Sequence, residues 1–269
     1  MNNAPIGIFD SGVGGLTVAR SVLDVLPHEQ ILYVGDTAHT PYGDKPLAQV
    51  RTYALQIMDD LVDSGVKMIV IACNTASSAV LHDARERYTD SRGIPVVEVV
   101  VPAAHAALRA TTNHRIGVIG TVATVTSGVY QDTLSVVPGV EVYANACPRF
   151  VEFAEAGITT GDDLLAVARS YLEPLIAHDI DTLVLGCTHY PLLAGAISYV
   201  CGDGVTLVSS SSTTARRAYA ELARADLMRD PRLDPPVHRF TATGPADRFL
   251  ALAHRILGPN VEGLDPVTT

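Results

Sequence analysis

The chain has 269 residues, with 19 basic and 29 acidic side chains and a formal net charge of −10 when its nine histidines are neutral. That length suits one large or two modest domains with a core needing no staples. An acidic chain without a block of Lys or Arg repels phosphate and argues against nucleic acid as a direct partner. Apolar residues make up 48% and charged residues 18%, the balance of a folded chain with buried strands.

Short β-branched runs alternate with stretches of 3.6-residue periodicity. Residues 6–9 read as a strand, followed by a helix over about 16–26 that Pro27 stops. Residues 31–34 form the next strand, and a helix with Val50, Tyr53, Ala54, Ile57 and Leu61 on one face closes near Gly65. A strand over 68–72 leads into a helix from about Ala76, with Asn74 and Thr75 as capping candidates, and residues 94–101 follow as a strand. Each strand is a continuous apolar run, which argues a parallel sheet covered on both faces. Residues 1–5 carry no leader pattern, and no apolar run approaches the roughly 18 residues of a membrane span. The cytoplasm is the expected location.

The second half repeats the first. Ile6-Gly7-Ile8-Phe9-Asp10-Ser11 matches Ile116-Gly117-Val118-Ile119-Gly120-Thr121 at an offset of 110, with Tyr33 on Tyr143. Residues 68–73 match 182–187 at an offset of 114, and 94–97 match 205–208 at 111. Four matches in order indicate tandem duplication. The expected fold is α/β: two similar doubly wound parallel-sheet lobes related by a pseudo-twofold, with the active site in the cleft between them. Residues 1–97 plus 209–269 form the first lobe and 98–208 the second. The 228–239 stretch reads as a surface loop, and the last helix runs over about 247–257.

The polar residues collect where strands hand over to helices. Asp10 and Ser11 end one strand, and Cys73-Asn74-Thr75 end another. In the repeat, Thr121 and Cys187-Thr188-His189 hold the matching places. Free N–H groups and the helix dipole there favour an anion such as a carboxylate. Duplication thus puts one thiol on each wall of the cleft. One thiol can remove a proton from a carbon while the other returns one from the opposite side, inverting a stereocentre without metal or cofactor. Asp10 near Cys73 and His189 near Cys187 are placed to tune them. The bland alternative is a pair of inert buried cysteines at equivalent positions. Cys147 and Cys201 carry no such context, and no cysteine spacing suggests a zinc site or disulfide framework.

Two cofactor readings fail. The glycine-rich Asp10-Ser11-Gly12-Val13-Gly14-Gly15-Leu16-Thr17 has Thr17 where a dinucleotide fingerprint needs its third glycine, and no Gly-Lys pair for a phosphate loop. Its glycines are expected to let the backbone approach a small ligand. The only lysines are Lys45, in a turn, and Lys67, ahead of a strand, neither placed for a pyridoxal Schiff base.

The segments Asp10–Thr17, Gly35-Asp36-Thr37, Pro41-Tyr42-Gly43, Ala72-Cys73-Asn74-Thr75-Ala76 and Gly186-Cys187-Thr188-His189-Tyr190-Pro191 resemble those of the glutamate racemases of the Asp/Glu racemase family, actinobacterial and mycobacterial members in particular. The resemblance implies a cofactor-independent isomerase that interconverts L- and D-glutamate and supplies D-glutamate for peptidoglycan. It implies that Cys73 takes the α-proton of D-glutamate and Cys187 that of L-glutamate. Asp10 would assist Cys73 and contact the ammonium, while His189, with Glu155, would serve Cys187. It assigns substrate contacts to Ser11, Pro41, Tyr42, Gly43, Asn74, Thr75, Thr121, Thr188 and His189. Glu152 and Glu155 are both open as the carboxylate facing the cleft, and the Ser209-Ser210-Ser211-Ser212 run is expected to be a polar loop. The resemblance further implies a homodimer and, for some members only, restraint of DNA gyrase. Two alternatives stay open: an aspartate racemase of the same superfamily, and a non-catalytic amino-acid binding protein of similar two-lobed shape.

Overall fold

The computed structural model describes residues 1–244 and 246–258. Strands β1 (Ile6–Asp10), β2 (Ile31–Gly35), β3 (Met68–Ile71) and β4 (Val96–Glu98) form one parallel sheet in the order β4-β3-β1-β2. Strands β5 (Arg115–Gly120), β6 (Glu141–Ala146), β7 (Thr182–Gly186) and β8 (Thr206–Ser209) form a second, in the order β8-β7-β5-β6. The two orders are the same, as duplication requires. A ninth strand, β9 (Arg239–Ala242), joins the first sheet by pairing parallel to β2. The wholly apolar interiors of β1, β3 and β7 are buried along their length, as in a sheet covered on both faces.

Helices α1 (Leu16–Val25), α2 (Leu47–Asp63), α3 (Asn74–Ala84) and α4 (Val100–Ala110) follow the first four strands. In the second half α5 (Val122–Thr126) and α6 (Val129–Leu134) follow β5, α7 (Arg149–Ala156) and α8 (Asp162–Ile176) follow β6, and α9 (Ala194–Cys201) follows β7. Helix α10 (Ser210–Arg224) follows β8, and α11 (Ala246–Leu257) ends the described chain. The helices after β4 and β8 exchange sides. Helix α4 packs on α6, β7 and β8 of the second sheet, whereas α10 packs on α1 of the first half and on α4 itself.

This exchange creates a core common to both halves. Ile8, Leu16 and Val70 belong to the same buried cluster as Ala103, Val118, Val184 and Ala215. Each half also has an outer core. One is built on α2 and α3 around Ile69, Met58 and Tyr88, the other on α7 to α9 around Leu183, Phe150 and Leu172.

Four local readings are corrected. The 94–101 run is a three-residue strand followed by α4, because the Glu98 carboxylate accepts from the N–H groups of Val100 (2.5 Å) and Val101 (2.9 Å) and so starts a helix. Burial pushes that carboxyl up to about 7 against the pull of those N–H groups. Helix α3 begins at Asn74, and its cap is Cys73 rather than Asn74 or Thr75. The 209–212 serines are no loop: Ser209 caps α10, and Ser210 and Ser211 are buried in its first turn. Finally, Tyr143 does not match Tyr33. Tyr33 pairs with Ile8 but Tyr143 pairs with Gly117, the counterpart of Gly7, so Tyr143 matches Leu32 and faces the other side. Tyr33 is buried, whereas Tyr143 is half-buried and stacks on His178.

Lys67 explains one of the two lysines. Its Nζ lies 2.5 Å from Glu29 Oε2 and donates to Asn2 O at 2.7 Å, while Arg229 N donates to Glu29 Oε1 at 2.7 Å. Both charges are fully buried. The pair ties the N-terminal segment, the α1–β2 turn, the start of β3 and the returning chain after α10 into one knot. Breaking a buried pair leaves an uncompensated charge, so Lys67→Met is expected to cost about 3–5 kcal/mol in urea unfolding. Adding Glu29→Leu should recover part of that loss; wild-type stability in Lys67→Met would contradict the assignment.

Candidate active site

The carboxyl ends of both sheets open on a single cavity of about 460 Å³. The first half lines it with Ser11, Thr40, Pro41, Tyr42, Gly43, Asp44, Cys73, Asn74 and Thr75. From the second half come Thr121, Pro148, Val151, Glu152, Glu155, Ala156, Cys187, Thr188 and His189. Every residue expected at the site is in this wall except Asp10, which is buried at the end of β1 behind it. Glu152 and Glu155 both reach the cavity, one turn apart on α7.

The Cys73 side is built on helix starts. Cys73 leaves β3 with extended backbone, and its Sγ accepts from Ala76 N at 3.4 Å. Burial pushes this thiol well above its ordinary value, and the negative charge of Asp10 adds to the rise. Asp10 is itself raised by burial, against the charge of His189 and the N–H groups of Gly15 and Ser11. Its Oδ2 accepts from Gly15 N at 2.9 Å and Gly12 N at 3.2 Å, while its Oδ1 has no partner. The aspartate thus holds the turn into α1 with one oxygen while its carboxyl lies beside the Cys73 thiol.

The Cys187 side is built around an imidazole. Cys187 Sγ lies 3.7 Å from His189 Nδ1, and His189 Nε2 lies 3.1 Å from Glu155 Oε1. Burial disfavours charge on this ring, but the contacts with Cys187 and Glu155 and the negative charge of Asp10 outweigh it and raise His189 to about 10. An imidazolium donates from both nitrogens, which suits a ring held between sulfur and carboxylate. Cys147 and Cys201 are buried and outside the cavity wall, and burial pushes both thiols up, Cys201 to about 11.

Contacts across the halves fix the walls against each other. Thr75 Oγ1 lies 2.9 Å from Thr121 Oγ1 and 3.2 Å from Thr124 Oγ1, and Ala123 N donates to Gly43 O at 3.0 Å. Thr17 Oγ1 lies 2.9 Å from Thr188 O and 3.0 Å from Ser211 Oγ. Tyr130 of α6 donates to Asn74 Oδ1 at 2.7 Å. These contacts correct the reading of the glycine-rich turn. A Cβ at Gly14 would lie 2.6 Å from His189 and Thr188 atoms, and one at Gly15 2.4 Å from Asp10 Cβ. The glycines make room for protein neighbours, and the cavity meets this turn through Ser11.

Tyr42 is also differently used. It lines the cavity, but its hydroxyl donates to Asp36 Oδ2 at 2.5 Å. Asp36 also takes His39 Nδ1 at 2.9 Å and the Thr243 hydroxyl at 2.6 Å, which anchors the 36–43 loop to the end of β9. Asp36, Thr17, Thr124 and Tyr130 were not singled out from sequence as site residues. Each is an ordinary polar residue in an ordinary helix or loop, and only the partner across the fold marks it.

Lys45 donates to Pro41 O and Lys67 is held by Glu29, so neither lysine enters the cavity wall. Among the described residues no cluster of three His, Cys, Asp or Glu side chains is arranged to hold a metal ion, and no helix is long and apolar enough to cross a membrane.

Comparison with known proteins places this geometry. The family model for Asp/Glu/Hydantoin racemase matches residues 17–218. A glutamate racemase of Parafrankia sp. (strain EAN1pec) is 57% identical over 97% of this chain and 93% of its own. That of Mycobacterium ulcerans (strain Agy99) is 55% identical over 98% and 96%. The crystal structure of glutamate racemase from Francisella tularensis subsp. tularensis SCHU S4 in complex with D-glutamate superposes with a TM-score of 0.90 at 34% identity, covering 100% of this chain and 98% of that one. With its two repeated sheets, shared cavity and full-length similarity, the chain belongs to the Asp/Glu/hydantoin racemase family of enzymes.

Proposed function

We propose that this racemase interconverts L- and D-glutamate by two-base proton transfer, with Cys73 and Cys187 as the bases and no cofactor. The observation that carries the proposal is the pair of thiols at equivalent strand ends of the duplicated halves, both lining one cavity. The similarity to glutamate racemases, one of them in complex with D-glutamate, supports the choice of substrate.

One thiolate takes the α-proton, forming S–H as the Cα–H bond breaks and its electron pair stays on carbon. The thiol of the other half then protonates the opposite face and leaves as a thiolate. The site keeps its proton count while the two sulfurs exchange roles, and the reverse reaction starts from the exchanged state. Cys73 takes the proton of D-glutamate and Cys187 that of L-glutamate. Asn74 Nδ2, unpartnered within the protein, and the Thr75, Thr121 and Thr188 hydroxyls are donors for carboxylates. Ser11, Pro41, Tyr42 and Gly43 complete the pocket around the substrate. Asp10, through its unpartnered Oδ1, attracts the ammonium, whose positive charge offsets the effects that hold Cys73 as a thiol. His189, paired with Glu155, supplies a positive charge beside Cys187. On this reading the enzyme works in the cytoplasm as a homodimer, and its D-glutamate enters peptidoglycan.

In D₂O the purified protein should exchange the α-hydrogen of either glutamate enantiomer without added cofactor. Cys73→Ser and Cys187→Ser should each lower racemisation by about 10²–10⁴-fold, while Cys147→Ser and Cys201→Ser stay near wild type. A panel of L- and D-glutamate against L- and D-aspartate, read by chiral chromatography, decides the substrate. Rapid turnover by either Cys73→Ser or Cys187→Ser would remove the two-base mechanism, and faster turnover of aspartate the substrate assignment.

His189 adds a pH signature. Its folded-state value of about 10 lies above the ordinary 6.5, so its stabilising contribution is complete below about pH 6.5 and is lost as pH rises towards 10. The unfolding free-energy difference between wild type and His189→Asn should therefore be largest in mild acid and shrink in alkali. Ring ¹⁵N shifts should show His189 still doubly protonated at pH 8; titration near 6.5 would contradict the ion-pair arrangement.

A further inference from the structure

Tyr130 is a buried tyrosine whose hydroxyl reaches from one half of the molecule to the other. It belongs to α6 of the second half, yet its hydroxyl donates to Asn74 Oδ1 at 2.7 Å in the first half. Its ring lies against the end of β7, where a Cβ added to Gly186 would come 3.0 Å from Tyr130 Cε2. Asn74 directly follows Cys73 and Gly186 directly precedes Cys187. One side chain therefore touches the residues adjoining both cavity thiols.

The direction of that hydrogen bond decides which end of the amide meets the cavity. Asn74 is 3% exposed and lines the cavity, and its Nδ2 has no partner within the protein. With the amide turned over, Nδ2 would donate to the tyrosine oxygen. The hydroxyl proton would then be buried without an acceptor, and a carbonyl oxygen would face the space where carboxylates bind. Burial holds the Tyr130 phenol far above its ordinary value, so the proton is present at any working pH. The tyrosine hydroxyl is satisfied in one orientation only, with the amide oxygen towards it, and that orientation leaves the Nδ2 N–H groups without a partner in the protein.

We propose that Tyr130 is a positioning residue that orients the Asn74 amide as a preset donor for a substrate carboxylate. It acts from the opposite half of the molecule and has no contact of its own with substrate. The inference rests on the glutamate reading above and adds the group that sets one of its binding contacts.

The test is Tyr130→Phe in the full chain, which keeps the ring and removes only the donor. Loss of an oriented donor to a charged group should raise KM for both enantiomers about tenfold with kcat changed less than about twofold. The value of kcat/KM must fall by the same factor in both directions, since enantiomers have an equilibrium constant of one. In an Asn74→Ala background, which raises KM by itself, adding Tyr130→Phe should change nothing further. A fall in kcat at unchanged KM, or a further KM increase in the Asn74→Ala background, overturns the proposal in favour of a purely structural role. Should Tyr130→Phe not fold, the unsubstituted protein still decides. The Asn74 side-chain amide resonances, identified by their loss in Asn74→Ala, should move when D-glutamate is added, and a static pair overturns the orientation. Failure of the unsubstituted protein to racemise glutamate is a separate outcome that removes the functional reading itself.

Discussion

The structure depends on the exchange of two helices between its halves. A sheet buries its apolar faces only when both are covered, and each sheet here receives a cover from the other repeat's side. Helix α4 leaves β4 to pack on the second sheet, and α10 leaves β8 to pack on α1. The result is one apolar cluster running from Leu16 and Ile8 through Ala103 and Val184 to Ala215. A cavity between two lobes joined by a hinge alone would have walls free to drift. Here the strand ends carrying Cys73 and Cys187 sit on opposite sides of a common packed core, so their separation is a property of that packing. Catalysis between two groups demands such positioning, since misplacement by an ångström can cost orders of magnitude in rate.

The exchange also explains the polar contacts over the cavity. Asn74 and Thr188 are equivalent by the duplication, and each is held by a residue from the other half: Asn74 by Tyr130, Thr188 through its carbonyl by Thr17. Thr75 and His189 are likewise equivalent. The first bonds Thr121 across the gap, and the second packs where Gly14 leaves no room for a side chain. Buried hydroxyls and amides are costly unless paired, so once the halves share a core these partners are required. The cavity wall thus includes several cross-lobe pairs, and two buried polar atoms near it, Asn74 Nδ2 and Asp10 Oδ1, have no hydrogen-bond partner within the protein.

Much of this was legible in the sequence because duplication writes the same pattern twice. The β-branched runs located the strands, and their offsets of 110 to 114 located the cysteines at matching ends. The errors arose where a local signal had two meanings. Val96–Val101 is apolar throughout, and only the carboxylate of Glu98 folding back on two N–H groups turns its end into a helix. The serines at 209–212 carry turn chemistry that also starts helices, and burial against α1 selects the helix. Tyr143 aligned with Tyr33 by identity, but side chains alternate across a strand, so a slip of one residue put it on the opposite face. Tyr130, Asp36 and Thr17 were invisible for a simpler reason. Their meaning lies in partners 56, 207 and 171 residues away, and no periodicity records that.

The duplicated halves have diverged where chemistry would gain from it. At equivalent positions stand Asp10 and Gly120, Ser11 and Thr121, Asn74 and Thr188, Thr75 and His189. One wall thus carries a buried carboxylate beside its cysteine and the other an imidazolium held by Glu155. A reaction between mirror-image substrates has an equilibrium constant of one, so no asymmetry of the protein can make one direction more efficient in kcat/KM. What unequal walls can change is how that common value divides between binding and turnover for each enantiomer. A carboxylate raises the proton affinity of its neighbouring sulfur, whereas an imidazolium stabilises a negative charge beside it. The two sulfurs therefore sit beside charges of opposite sign, and on the proposed mechanism the ammonium of an amino acid near Asp10 offsets the carboxylate on the Cys73 side. A symmetrical pair of carboxylate-flanked thiols would need that compensation on both sides from a single ammonium. With an imidazolium on the second wall, the proposed mechanism calls on the substrate's charge at one wall only.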